Sequence, residues 1–321
     1  VKPRHWIVFI LLGAIWSSSF LWIKIGIQEL SPTMLVAFRM LFGALTAVAI
    51  AVQRKVAWPR DGRTWAAFAI LGPTSLAVPI FLISWGERSI DSAVASILNA
   101  TVPLFTLVIA HFSLGDDRMT LPKVVGLLTG FAGVAVLLSE GLAGASRASL
   151  TGQAAVILAA VFYAGSAVYA RKATQHVGGW IRGAGPLITA SVAMWLVVPA
   201  VEHPIRMPLL PITWVAILWL GVFGSGLAMI MFYYLIHEIG PTRSSMVTYL
   251  FPLGGVALGV AFLGEHLSWQ LVAGAVLIIS GLLVVNRKPA PAVPAAPRRA
   301  PALDGCPCPE GCHPGGCRAC S

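Results

Sequence analysis

The chain has 321 residues, 57% hydrophobic and 11% charged, with a formal net charge of +10. Soluble domains carry about 25% charged residues, so a water-soluble globular class is excluded. The basic excess sits in short loops between apolar stretches, which sets nucleic-acid binding aside and points to membrane topology.

Lys2 and Arg4 precede an apolar run and resemble the start of a signal peptide. No small-residue cleavage site follows and many apolar stretches come after, so the run is expected to stay as a first span. A helix of about 20 residues crosses a hydrocarbon core of about 30 Å. Spans are predicted at 6–29, 32–53, 64–86, 90–114, 121–140, 150–172, 183–201, 212–236, 241–263 and 268–286. The seventh is the least regular, following Gly178-Gly179-Trp180 and containing Pro186. With the N-terminus inside, cytoplasmic segments hold seventeen Lys and Arg, and the opposite side holds Arg88, Arg147 and Arg206. That bias supports ten spans with both termini cytoplasmic.

The chain also repeats itself at half its length. Pro103-Leu104 with Leu114-Gly115-Asp116 matches Pro252-Leu253 with Leu263-Gly264-Glu265 at an offset of 149, and Leu71-Gly72 matches Leu220-Gly221. Gly126 and Gly133 match Gly274 and Gly281 one residue out of step. Ser19 and Lys24 match Ser166 and Arg171 two residues out of step. A fixed internal period marks a duplicated unit. With five spans in each copy the copies lie upside down, the arrangement of many secondary transporters. The expected division is 1–145 for the first repeat, 146–288 for the second and 289–321 for a disordered Ala/Pro-rich and then Cys-rich cytoplasmic tail.

Three features carry a family resemblance: Ile15-Trp16-Ser17-Ser18-Ser19-Phe20 through Lys24, Pro32 with Arg39, and the Pro-Leu…Leu-Gly-acid signature closing the fourth and ninth spans. Together they resemble the EamA-type transporters of the drug/metabolite transporter superfamily over about residues 1–288. The resemblance implies an all-α integral membrane protein: ten transmembrane helices as two inverted five-helix repeats around a central cavity. Spans 1–4 and 6–9 would surround the cavity, with 5 and 10 outside. It further implies a bacterial inner-membrane protein that exports amino acids, related metabolites or toxic compounds, with import in some relatives. The partners are then a small-molecule solute and the lipid bilayer, with no nucleic acid and no cofactor. Asp116 stands where Glu is usual and keeps the charge; the Cys-rich tail has no counterpart in the family.

Polar side chains inside spans are costly and are therefore candidates for the solute path. Trp16 and Ser19 are three residues apart and share a helix face, as do their mates Tyr163 and Ser166. A ring to pack on and a hydroxyl to hydrogen-bond suit an amphipathic solute; small residues at such places also serve close helix packing. Asn99, in the fourth span, and Thr248 with Tyr249, in the ninth, complete the substrate-binding candidates. The sequon that Asn99 begins is spurious inside a span. Trp22 reads as an interfacial residue. Lys24, Arg39 and Arg171 are candidates for gating or structural charge. Arg39 lies about 10 Å deep at 1.5 Å per residue, and is expected to pair with a carboxylate or carbonyls or to face a wet cavity. Pro79, Pro103, Pro186 and Pro252 serve as hinges or as static kinks. Gly126-x-x-x-Gly130 and Gly255-x-x-x-Gly259 read first as seams within the chain and second as homodimer faces.

None of the twelve Asp and Glu residues falls near mid-span; Glu87 and Asp91, at the outer break between the third and fourth, come closest. His111 reads as a packed or interfacial His. The expectation is an uncoupled facilitator, or proton coupling through an edge site. There is no Gly-x-Ser-x-Gly, phosphate-binding loop or intramembrane Asp pair, so neither an enzyme nor an ATP-driven pump is expected. The alternatives are import of sugar or nucleotide-type solutes and a non-transport membrane receptor or enzyme. All five cysteines lie in the tail at 306–320 with His313. They are placed in the reducing cytosol. Cys317-x-x-Cys320 has metal-ligand spacing but the rest lacks that of an established zinc module, so no metal site is assigned.

Overall fold

Capping chemistry sets where the helices begin. A computed structural model describes residues 3–113, 120–144, 147–205, 207–239, 244 and 246–285. Among these there is no strand, and the helices are α1 Pro3–Gly26, α2 Pro32–Gln53, α3 Gly62–Gly86, α4 Ser92–Ser113, α5 Leu121–Gly144, α6 Arg147–Ala173, α7 Gly179–Val201, α8 Pro211–Ile236, α9 Met246–Leu263 and α10 Trp269–Val285. Nine of them, among the described residues, are long and apolar enough to cross a membrane; α10 is apolar with 17 residues. The described residues fall within one compact unit, Val1–Asn286. Asp116 and the tail with its five cysteines lie outside the described residues.

Ser31 Oγ accepts from Met34 N–H (3.1 Å) ahead of Pro32, the first residue of α2. Asp61 accepts from Thr64 N–H (2.8 Å) at the start of α3. The Thr64 side chain and then its amide hold the Asp61 carboxyl below the usual range. The mate of Asp61 in the second half is Leu210, which cannot cap. Glu29, from the turn between α1 and α2, supplies the missing acceptor: its carboxylate takes the N–H groups of Leu209 and Leu210. The side chain of Thr213, the mate of Thr64, and then the Leu209 amide hold the Glu29 carboxyl below its ordinary value. The repeat shows equally in the tryptophans. Trp65 Nε1 donates to Pro59 O and Trp214 Nε1 to Pro208 O, both at 3.0 Å.

Winding irregularities recur at matching places. α3 widens into a π-type turn at Pro73–Ala77 and α8 at Trp219–Leu227. Pro73 lacks an N–H, and the glycines at 221, 224 and 226 leave the backbone of α8 free to widen. α4 is interrupted between Asn99 and Val102, just before Pro103. α9 starts as a 3₁₀ turn, Met246–Tyr249, just before Pro252. Pro79 follows the wide turn of α3, whereas Pro186 lies inside an unbroken α7. α7 starts four residues earlier than the sequence predicts, because Arg182 donates to the carbonyls of Thr174, Gln175 and Val177 and ties the α6–α7 connection to it.

The contacts between helices come in matched pairs. α1 packs on α8 and α9 as α6 packs on α3 and α4, and α2 packs on α7 and α8 as α7 packs on α2 and α3. Met34, Leu35, Val36, Ala37 and Met40 of α2 are buried at the centre, while Leu128, Leu196, Phe262 and Leu283 stay exposed, as lipid contact allows. Trp22, expected at an interface, packs against Trp219 with ring centroids 6.0 Å apart.

α5 meets α10 along a glycine seam. A Cβ on Gly126 would lie 2.6 Å from Gly281 O, and one on Gly133 would lie 2.8 Å from Gly274 O. This α5 face is therefore filled from within the chain, the first of its two expected uses. Gly281→Val is expected to cost at least about 1–3 kcal/mol, since its neighbours are backbone atoms that cannot yield. Gly165→Ala, with nothing within 4 Å of the added carbon, is the control and should be neutral or stabilising. Thermal melting followed by size-exclusion chromatography in detergent separates the two.

Candidate functional site

A cavity of about 360 Å³ lies between α1–α4 and α6–α9; among the described residues α5 and α10 supply none of its lining. That volume suits a small organic solute. The irregular windings all face it, through Ser75 and Leu76 of α3, Asn99 and Val102 of α4, Gly224 and Ser225 of α8, and Thr248 of α9. Non-helical backbone is tolerated at membrane depth where it lines a cavity.

Most of the aromatic wall comes from α1, α8 and α9. Trp16 lies 5.3 Å from Phe232 and 5.9 Å from Phe251 between ring centroids. Its Nε1 donates to Gly224 O (3.1 Å), a carbonyl in the wide turn of α8. Ser19 lines the cavity one turn on, its hydroxyl donating to Ile15 O at 3.3 Å. Tyr163 and Ser166 of α6 line it as well. Asn99 is 8% exposed, and its Oδ1 has no hydrogen-bond partner among the described residues.

Thus Trp16, Ser19, Asn99, Tyr163, Ser166 and Thr248 come together in one wall, and Tyr249 does not. The Tyr249 hydroxyl turns to α10 and donates to Leu282 O at 3.3 Å. Arg171 is exposed at the end of α6 and is not among the lining residues, and His111 is beside Phe112 at 5.1 Å.

Arg39 is in the wall and 6% exposed. Its Nε donates to Ser225 Oγ at 3.1 Å. No carboxylate among the described residues reaches ion-pair distance of it, so of the partners expected for it a carboxylate is not found. Arg182 also lines the cavity: one of its terminal nitrogens donates to three carbonyls, and its Nε has no hydrogen-bond partner among the described residues. No Asp or Glu is among the described lining residues. Sequence reasoning missed Ser225, Arg182, Phe232, Tyr233 and Phe251. Ser225 was hidden because its mate in the repeat is Leu76, so a search for similar pairs passes over it.

One end of the bundle gathers charges from both halves. Lys24 Nζ donates to Glu87 O (2.6 Å) and Ile90 O (2.7 Å). Gly264, at φ 67°, ends α9 in the left-handed conformation that glycine accepts, and the next residue swings to α4. There the Glu265 carboxylate accepts from Ser92 N–H (2.7 Å) and Ala93 N–H (2.9 Å). Glu87, in the turn after α3, is 0% exposed, and neither carboxyl oxygen has a hydrogen-bond partner among the described residues. Burial pushes its carboxyl well above the ordinary range; Lys24 opposes the rise, Glu265 adds to it, and Arg39 opposes it.

The chain matches the EamA-like transporter family over residues 4–139 and 150–287. An uncharacterized transporter of Archaeoglobus fulgidus is 27% identical over 89% of this chain and 99% of its own length. The uncharacterized inner membrane transporter YedA of Escherichia coli K12 is 29% identical over 88% and 91%. A protein of Streptantibioticus cattleyicolor named "Probable terminal-alkyne amino-acid exporter" is 26% identical over 87% and 92%. A solved crystal structure with 21% identity superposes over 88% of this chain and 96% of its own, with a TM-score of 0.65, a likeness of fold. Matched twice, over nearly the whole helical region, this membrane protein belongs to the EamA-like transporter family.

Proposed function

We propose that the chain is a ten-span carrier that moves a small amphipathic carboxylate, an amino acid or related compound, out of a bacterial cytoplasm across the inner membrane. Two inverted five-helix repeats alternate access to the cavity between them, and both termini are cytoplasmic. Support for ten spans comes from α10, an apolar helix of 17 residues that packs along α5, and from the one-sided distribution of Lys and Arg. Matched helix contacts support a two-fold relation between the halves.

The observation that carries the solute class is Arg39, a guanidinium in the cavity wall with no carboxylate at ion-pair distance among the described residues. A solute carboxylate would complete it. Asn99 Oδ1 offers an acceptor for an ammonium, and Trp16, Phe232 and Phe251 offer a surface for an apolar side chain. Import of a nucleotide-type solute would call for several cations around its phosphates, and among the described lining residues only Arg39 and Arg182 are cationic, the latter tied through one nitrogen to three carbonyls. The name of the Streptantibioticus relative agrees with an amino-acid solute.

Purified protein in proteoliposomes, loaded with a panel of radiolabelled amino acids and nucleosides, tests this. Efflux of apolar amino acids is expected. Silence across the panel, with no growth protection in an overexpressing strain, would overturn the reading. Trp16→Ala should weaken the solute's apparent affinity by about 10-fold or more, given about 1.5–3 kcal/mol for a large buried apolar contact. Ser19→Ala should change it only a few-fold, as one hydrogen bond contributes about 1 kcal/mol. Both variants should remain folded by size-exclusion chromatography, and unchanged kinetics would remove both residues from the site.

A further inference from the structure

Glu87 has a different environment from the two charges beside it. Lys24 places its ammonium on two backbone carbonyls. Glu265 places its carboxylate on two backbone N–H groups. Each is hydrogen-bonded, and together they are neutral. Glu87 has no such partners: it is 0% exposed, and both its carboxyl oxygens lack a hydrogen-bond partner among the described residues. An ionised carboxylate held this way loses its hydration without replacement, whereas the protonated acid loses far less.

Its position gives that proton a consequence. Ile83, one turn earlier on α3, lines the cavity, so Glu87 stands just beyond the cavity's end. Lys24 comes over the same turn from α1, and Glu265 reaches the start of α4 from the end of α9. The charged groups acting on Glu87 are thus Lys24 on α1, Arg39 on α2 and Glu265 after α9. α6 meets the preceding residue, Gly86, with Gly152 and Val156, which carry no charge. Separating α1, the α3–α4 turn and Glu265 would open this end of the cavity and admit water to Glu87.

We propose that Glu87 is a proton-binding site that closes with this end of the cavity and releases its proton to water when that end opens. The step is the ionisation of a carboxylic acid, with no other bond made or broken. In the closed state the acid holds its proton; wetted, it returns to the ordinary carboxylate range. Between those two values opening releases a proton, so rising pH favours opening and falling pH favours closure. Transport by this protein then depends on pH through a residue outside the solute-binding wall.

The test uses full-length protein in lipid nanodiscs with the proton as the only ligand. Infrared difference spectra across a pH titration should show a protonated-carboxyl stretch that persists above the ordinary carboxylate range. Glu87→Gln should abolish it. Lys24→Gln, which removes an opposing positive charge, should move the titration to higher pH. In thermal melts wild type should lose stability as pH rises through this window, and Glu87→Gln should flatten that slope. A band that survives Glu87→Gln, a Lys24→Gln shift to lower pH, or an equal slope in wild type and Glu87→Gln would overturn the proposal. So would a titration that moves when sodium replaces choline, which would make the site one for a metal cation. Because no solute is involved, a failed transport panel leaves this result standing, and the reverse also holds.

Discussion

Arg39→Gln is expected to slow transport of a carboxylate solute by about 10- to 100-fold, from the loss of a hydrogen-bonded charge pair of about 1.5–3 kcal/mol. The fold should tolerate the change. Arg39 gives the protein one side-chain hydrogen bond, to Ser225, and removing a buried charge relieves desolvation that offsets the loss of that bond. Arg39→Lys keeps the charge but not the planar fork, and should fall between Gln and wild type. Ser225→Ala leaves the guanidinium in place but untethered, and should cost only a few-fold. Initial rates in proteoliposomes for a carboxylate solute and for its neutral amide decide the matter. In wild type the carboxylate should be favoured; in Arg39→Gln the two should converge. If the preference survives Arg39→Gln, the guanidinium is structural and the cavity selects solutes by its apolar wall.

Nine of the helices were legible because each is an apolar run long enough to cross a membrane, and the repeat because its signatures sit at fixed offsets. Part of the cavity wall was legible too. Trp16 with Ser19 and Tyr163 with Ser166 lie in regular helix, where spacing fixes a shared face. Adjacent residues point about 100° apart in an α-helix and about 120° apart in the 3₁₀ turn that holds Thr248 and Tyr249, so Tyr249 turns to α10 while Thr248 faces the cavity. Ser225 reaches Arg39 from a wide turn 186 residues away, which no local pattern announces. Glu87 was visible as an acid at a span edge. Its burial depends on Lys24 folding over its turn and on α6 packing beneath Gly86, and both are tertiary.

Glu265→Ala is expected to be among the most destabilising single substitutions outside the glycine seam, by about 2–4 kcal/mol. The value follows from two charge-assisted bonds of about 1.5–3 kcal/mol each that are not fully additive. Both bonds end on Ser92 and Ala93, the first residues of α4, so the carboxylate also meets the positive end of that helix. Without it those N–H groups have no acceptor at a helix start packed against α9. Glu265→Gln retains one acceptor oxygen and should lose about half as much. Gly264→Ala should add a cost of its own, about 1–2 kcal/mol for the left-handed backbone that aims Glu265 at α4. The Leu-Gly-acid signature is therefore a connector in its second copy: the glycine turns the chain, and the acid ties the end of α9 to the start of α4 across the two repeats. Thermal melts of Glu265→Ala, Glu265→Gln and Gly264→Ala in lipid nanodiscs measure each part separately. Should Glu265→Ala melt with wild type, the bond contributes nothing net, and the signature owes its place to the charge balance around Lys24 and Glu87.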